Sequence, residues 1–487
     1  MLRVFERLTG SPSGNGWRMR ALALAAATGL LPLGGAADQG PDALPFTPGP
    51  NQGVFLIITD IHFDPFADPA IVEQLVASDV HDWRGIFESS KEPGFAQYGS
   101  DSNYPLMTSA LEAARRLLPR PDFVLYPGDH LAHRFETKFD ATAGGGPEAY
   151  RRFVIKTMTF VSDRLRETFP EAPVYGTLGN TDAICGDYMI APGETLLASV
   201  GELWAATSEH PEAFADFGIG GFYAVPHPTV PARDLIVLNN VFWSTKYDDR
   251  CNPQGGDPGA AQLAWLEWTL YRTALRGRTA SLLFHVPPGI DSFRSAHGKG
   301  TCRQNVTPFL KDEYARSFLT LLEEHRDILH SSFSGHTHMD DFRVLATAAG
   351  DPFLLTHITP AVSPIYQNNP AFELVLYDRA TGDLIDYATV YLTNLENAGR
   401  GEDANWAVEY TFRGAYHYAA FSQKTASELA RAIRSNPAVR EDYIAFYPVA
   451  TSSTDPPIDE QNWKAFACAQ TELTAEAFAA CYCASGR

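Results

Sequence analysis

Positive charge is scarce in this chain. Its 487 residues carry 38 Lys and Arg against 58 Asp and Glu, a formal net charge of −20 at pH 7. Such a balance repels polyanions, which excludes nucleic-acid duplex binding as the main task. A Gly-rich loop of the kind that cradles nucleotide phosphates is also missing, which excludes an NTP-driven switch of that class. There is no internal repeat and no low-complexity tract. Apolar runs long enough for a bilayer are absent: residues 21–33 form the longest, and they are short for a span. Cysteine stops at six (Cys185, Cys251, Cys302, Cys468, Cys481 and Cys483). Their spacing does not make a four-thiolate zinc site.

The N-terminal pattern is that of an export signal. Arg18 and Arg20 precede the apolar run, and Gly34-Gly35-Ala36-Ala37 follows it before Asp38. The expectation is a signal peptide over 1–37, with Met19 as an alternative start and a membrane anchor as the alternative reading, and a periplasmic or secreted protein. An even cysteine count in an exported chain implies disulfides. Cys468 is expected to pair with Cys481 or Cys483, and Cys251 with Cys302; Cys185 has a free buried thiol as its alternative.

Residues 38–52, rich in Pro and Gly, read as an extended lead-in. From there strands and helices alternate. Apolar runs at 54–59, 123–126, 174–178, 235–240, 281–284 and 328–333 read as buried strands. Apolar spacing of three and four marks helices over 106–118, 149–169, 260–275 and 313–325. Short strands follow at 353–358 and 373–377, with a hairpin through Thr381-Gly382-Asp383 into 384–392. This is an α/β chain with a largely buried sheet. After Asn394 the period changes, and 406–434 and 459–483 read as helices. The division expected is a catalytic domain over 53–395 and a C-terminal helical subdomain over 396–487. The polar stretch 64–103, with Trp83, Phe87, Phe95 and Tyr98, is too long for a plain connection and is expected on the active face.

The chemistry sits where the strands stop. Asp60 and His62 follow the first strand, Asp129 the second and Asn180 the third. His285 follows a later strand, and Ser334-Gly335-His336-Thr337-His338 closes the run at 328–333. Singly, each has a plain reading: a turn cap, a left-handed turn residue, a core histidine. Jointly, they place nitrogen and oxygen donors at five strand ends, where α/β sheets bind ligands. That donor mix suits zinc, manganese or iron. Two cations held close together need a shared anion, and Asp129, alone after a glycine, is the candidate bridge. A two-metal site makes a nucleophile available from water and neutralises a phosphoryl group, so no Ser or Cys nucleophile is required.

The order Asp60-x-His62, Gly128-Asp129, Gly179-Asn180, His285 and Gly335-His336-x-His338 resembles the calcineurin-like metallophosphoesterase superfamily. The resemblance implies a four-layer αββα sandwich. It also implies that Asp60, His62, Asp129 and His338 hold one ion, while Asp129, Asn180, His285 and His336 hold the other. Gly128-Asp129-His130-Leu131-Ala132-His133, His285-Val286-Pro287-Pro288-Gly289, Asn369-Pro370-Ala371-Phe372, Asp386-Tyr387, the stretch from Tyr98-Gly99 to Pro105, and the pattern of Trp406, Tyr410 and Tyr416 are similar to the acid sphingomyelinase-like phosphodiesterase branch. The likeness runs over roughly residues 54–483. Thr181 departs from it, because the superfamily carries a phosphate-contacting His directly after the metal-binding Asn, and a hydroxyl is a poor proton donor near neutral pH. His133, matching a histidine of the branch, is the expected general acid, with His130 second. The branch's cysteines near Asn103 and its saposin-like module are not matched.

The expected protein is therefore an exported phosphodiesterase with two divalent ions, zinc first and manganese or iron next, acting by attack of a metal-bridging hydroxide. Its partner is a small phosphoester: a phospholipid head group, a nucleotide or polyphosphate. No protein partner is evident from the sequence. The alternatives are a phosphomonoesterase and, from another class, a metal-containing binding protein without turnover, a reading that Thr181 motivates. Substrate choice is assigned to 64–103 and to Tyr247, Phe293 and Tyr366.

Overall fold

The run 54–59 forms the middle of a six-stranded sheet as β1 (Gln52–Ile57). Its side chains from Val54 to Ile57 are buried on both faces, as in a strand covered from either side. β2 (Val124–Tyr126) and β3 (Val174–Gly176) extend that sheet in parallel on one side. A second six-stranded sheet holds β4 (Tyr223–Pro226), β5 (Arg233–Val237), β6 (Thr279–Leu283), β7 (Leu329–Ser334), β8 (Asp341–Ala346) and β9 (Pro352–Ile358). Its order is β4-β5-β6-β7-β9-β8, with β5, β6, β7 and β9 parallel and the two edges antiparallel. The first sheet is completed by β10 (Ala371–Asp378), β11 (Leu384–Leu392) and β12 (Trp406–Thr411), giving the order β12-β11-β10-β1-β2-β3. The computed structural model describes residues 43–91, 94–252 and 255–484, and these counts refer to them. The expected signal peptide lies outside the described residues. Among them, no helix is long and apolar enough to cross a membrane.

The two sheets pack face to face. Phe55 of β1 meets Phe333 of β7 edge-on at 5.6 Å between ring centroids. Helices cover the outer faces, so the architecture is the α/β four-layer sandwich expected. Tyr104–Leu117 and Gly146–Thr168 lie over the first sheet. The second of these buries Tyr150, Phe153, Val154, Thr157, Met158, Val161 and Leu165, one stripe at helical spacing, and starts with a proline in its first turn. Pro258–Leu275, capped by Asp257 through a 2.9 Å bond from Ala260 N–H, Asp312–Glu324 and Gln423–Ser435 lie over the second sheet.

Two expectations are corrected and one strand is added. Residues 406–411 form a strand, because Trp406 and Tyr410 bury at alternating positions against β11; the helices begin only at Phe412, where Thr411 caps the turn. Strand β8 escaped notice because Asp341 and Arg343 disguise it; buried inside, they neutralise one another at 2.5 Å. The disulfides are Cys185–Cys251, Cys302–Cys483 and Cys468–Cys481. The last was among the expected pairs, whereas Cys251 takes Cys185 rather than Cys302, and Cys185 is not free.

Two partly buried acids give the fold a pH dependence. Burial pushes Glu194 up to about 7 and, with Asp340 nearby, Glu409 up to about 10. In the unfolded chain both ionise near the ordinary glutamate value of 4.5. The folded state thus binds more protons, and these groups' contribution is full below that value and is lost as pH rises through their folded values. Glu409→Gln should therefore leave thermal stability unchanged near pH 5 and raise it near pH 8, by on the order of 1–3 kcal/mol. Melting curves of variant and wild type at both pH values test this; equal shifts at the two would contradict it.

Candidate metal centre

Five strand ends from both sheets converge on one carboxylate. Asp129 Oδ2 lies 3.3 Å from His62 Nε2 on one side and 3.1 Å from His285 Nε2 on the other. On the His62 side, His338 Nε2 stands 3.0 Å from His62 Nε2 and 3.4 Å from Asp60 Oδ1. On the His285 side, Asn180 Oδ1 is 3.0 Å and His336 Nδ1 3.1 Å from His285 Nε2. All seven residues proposed from the sequence are thus brought together, in two groups that meet at Asp129.

Supporting bonds orient each donor. His62 and His285 give their Nδ1–H to the carbonyls of Leu131 and Pro127, both at 2.9 Å, which turns the Nε2 lone pairs inward. Asn180 donates its amide to Asp187 at 2.6 Å, so its oxygen faces the cluster. Thr181 donates from its backbone N–H (2.9 Å) and hydroxyl (3.0 Å) to Asp129 Oδ1, leaving Oδ2 for the centre. Asp182 was missed in the sequence. It is fully buried and accepts from the backbone N–H groups of Asp129, His130, Leu131 and Gly179, joining the loop after β2 to the loop after β3. Asp60, His62, Asp129, His336 and His338 all have positive φ, from 45° to 74°. Backbone strain of this kind gathers where geometry is dictated by function.

The donor set fits cations. Lone pairs of ring nitrogens, carboxylate oxygens and an amide oxygen point at one another across about 3 Å with no N–H between most of them, an arrangement that repels itself unless positive charge lies within it. Left to its own side chains the cluster recruits protons. Burial opposes charge on His285, but the adjoining Asp129 carboxylate prevails and raises it to about 9. Burial raises Asp60 to about 7 and depresses His62 to about 4. Nitrogen and oxygen donors in this number suit two divalent ions of the zinc, manganese or iron kind.

A cavity of about 470 Å³ opens above the cluster. Phe293 and Tyr366 line it, as expected, and so do Tyr188, Lys246, Arg294 and Tyr447. Tyr247 does not; its ring packs on Phe242 and its hydroxyl donates to Ile190 O. The stretch 64–103 supplies no lining residue either. Its Trp83 and Phe87 pack on Phe160 of an outer helix instead, because that helix offers the larger apolar surface.

That stretch nonetheless contributes Asp101. His133 lines the cavity, stacks on His62 at 4.2 Å and points Nε2 at the Tyr366 hydroxyl, 3.1 Å away. Its Nδ1 is held by Asp101 at 2.8 Å, and Asp101 is itself held by Lys138 at 2.7 Å. Burial works against charge on His133, but the Asp101 carboxylate outweighs it and holds the ring above the usual imidazole value. His130 is turned away, buried against Asp182 at 2.8 Å. Thr181 does not reach the cavity, so its part is to position Asp129. Nothing in the local sequence marks Asp101, since its role exists only once residues 101 and 133 meet.

Residues 53–340 match the model of the calcineurin-like phosphoesterase family, and residues 352–485 match the acid sphingomyelin phosphodiesterase C-terminal region. The chain is 27% identical over 450 residues to acid sphingomyelinase-like phosphodiesterase 3b of Homo sapiens, covering 90% of this chain and 91% of that protein. It is 26% identical over 382 residues to the cyclic GMP-AMP phosphodiesterase SMPDL3A of Mus musculus, covering 77% and 79%. Over 376 residues it is 26% identical to sphingomyelinase phosphodiesterase C of Dictyostelium discoideum, covering 74% and 77%.

Two glycines hold the centre open. A Cβ on Gly335 would stand 2.2 Å from Asp60 Oδ2, and one on Gly179 would stand 2.1 Å from Asp129 Oδ1. Gly335→Ala and Gly179→Ala should each lower bound metal by roughly one ion or more per chain while far-ultraviolet circular dichroism stays as in the wild type. Elemental analysis of the purified variants decides it, and full metal content in both would refute the role given to these positions.

Proposed function

The chain belongs to the calcineurin-like phosphoesterase family, and from that premise we propose that it is an exported two-metal phosphodiesterase in which Asp60, His62, Asp129 and His338 hold one ion and Asp129, Asn180, His285 and His336 the other. It is a metal-dependent phosphodiesterase by kinship. The observation that carries the finer reading is Asp129 Oδ2, placed between two imidazole groups at 3.3 and 3.1 Å. Divalent ions held there would make a nucleophile available from water near neutral pH and would neutralise charge on the phosphoryl oxygens.

The protein's own groups do the rest. Lys246 and Arg294 stand on the cavity wall among the carboxylates of Asp187, Asp291 and Asp455, and each can donate to the oxygens of an anionic ester. The aromatic faces of Phe293, Tyr366 and Tyr188 line the space left for the organic arms of a diester. His133 Nε2 faces the same space, and we assign it the proton given to the leaving oxygen. Asp101 accepts from Nδ1–H and favours the imidazolium, whose second proton, on Nε2, faces that space. The histidine missing at Thr181 is thereby replaced from another loop. A phospholipid head group or a nucleotide meets these requirements, and zinc is the metal favoured by the histidine-rich set. Three disulfides accord with export.

Metal content and hydrolysis of bis-(p-nitrophenyl) phosphate, measured on one sample before and after chelation, test the proposal. About two ions per chain and turnover lost on chelation and restored by metal are expected. Faster turnover of the mono-aryl ester would make the protein a phosphomonoesterase, and metal without turnover on either would leave a binding protein. Asp129→Ala should abolish activity; a metal-replete Asp129→Ala protein that still turns over would exclude the shared bridge.

His133→Ala and Asp101→Asn should slow esters of poor leaving groups by on the order of 10²-fold and nitrophenyl esters much less, because only the former need an acid. Equal slowing of both ester types would remove His133 from that role.

A further inference from the structure

Six large apolar side chains are exposed among the described residues: Ile219, Trp268, Tyr271, Leu275, Phe293 and Tyr366. Phe293 and Tyr366 belong to the cavity. The other four lie elsewhere, and three of them share the outer face of the helix Pro258–Leu275, where Trp268 is 56%, Tyr271 48% and Leu275 69% exposed. Ile219 lies on the short helix Phe217–Gly220, and Phe222 just after it touches the long helix at Trp265, 4.6 Å between ring centroids. The helix already buries its inner stripe, Gln262, Leu266, Leu270 and Thr273, against the second sheet. Its outer face then runs Ala261, Ala264, Trp268, Tyr271, Leu275, all exposed. That is an unbroken three-four-three-four spacing, the seam a helix presents to another helix.

We infer that two copies of this chain associate through this face, helix against helix. The seam is small at its start and large at its end. Laid antiparallel on itself, it puts Ala261 and Ala264 of one copy against Leu275 and Tyr271 of the other, so that large fills the space left by small. Such a contact is self-complementary and closes on a two-fold axis.

Charge favours this face over others. Two copies of a chain at −20 repel over most of their surface. Here the exposed charges beside the seam are Glu267, Arg272 and Arg276, so the face is locally not acidic. Stacked Trp268 and Tyr271, with Leu275, give the face its apolar centre, and exposed Ala261 and Ala264 extend it. A lipid surface would also accept aromatics with arginines. The bulky end of the seam, however, is where the chain enters β6, and the cavity opens at the other end of that strand, beyond His285. A membrane held there would not be presented to the cavity.

Light scattering and sedimentation equilibrium on the full mature protein test the inference, with hydrolysis of bis-(p-nitrophenyl) phosphate reporting that each variant is folded. A dimer is expected at tens of micromolar, weakened roughly tenfold or more by Trp268→Glu at unchanged turnover. Ala264→Trp, a substitution that an exposed position of a lone chain tolerates, should weaken it as well, since it fills the space that Leu275 of the second copy needs. A monomer at about 50 µM, or a dimer unmoved by both variants, would overturn the inference. So would a monomer that sediments with vesicles of phosphatidylcholine and phosphatidylglycerol and loses this with Trp268→Glu, which would assign the face to lipid instead.

Discussion

Everything at the centre depends on one oxygen. Asp129 Oδ2 stands between His62 and His285, and the carboxylate can do so only if strands of both sheets end at the same place. The face-to-face packing of the sheets, sealed by contacts such as Phe55 on Phe333, is thus a condition of the chemistry. A buried carboxylate in this position carries a large desolvation penalty unless it is met by positive charge. The ring of His285, raised by that carboxylate, is one such partner, and cations held by the surrounding donors would be others, which would tie metal binding to the integrity of the fold.

Holding five loop ends that closely strains the backbone. Five donors occupy left-handed conformations that non-glycine residues avoid. Glycines at 179 and 335 let carboxylates approach within distances no side chain would permit. Asp182 offsets part of this cost by collecting four backbone N–H groups with one buried carboxylate. It touches no substrate space, yet it sets the separation of the loops bearing Asp129 and Asn180.

The acid proposed here illustrates how a fold could tolerate a missing residue. Thr181 occupies the position from which relatives in the superfamily are expected to offer a histidine, and its hydroxyl is spent on Asp129. His133 reaches the cavity from a neighbouring loop, anchored by Asp101 and Lys138.

The donors that meet at the strand ends, the α/β alternation and the reaction class were legible in the sequence, because each rests on residues close together in the chain: an apolar run, then a donor at its end. Strand β8 was not, since its buried Asp341 and Arg343 look like surface charges until they are paired. Residues 406–411 looked helical because the helices after them blur the period of two. The disulfide partners, the pairing of Asp101 with His133 and the choice of cavity-lining residues belong to the tertiary structure. Each is a contact between positions far apart in the chain, and composition or spacing carries no record of such distances. Sequence by itself determined which chemistry is possible; only packing decided which groups stand close enough to perform it.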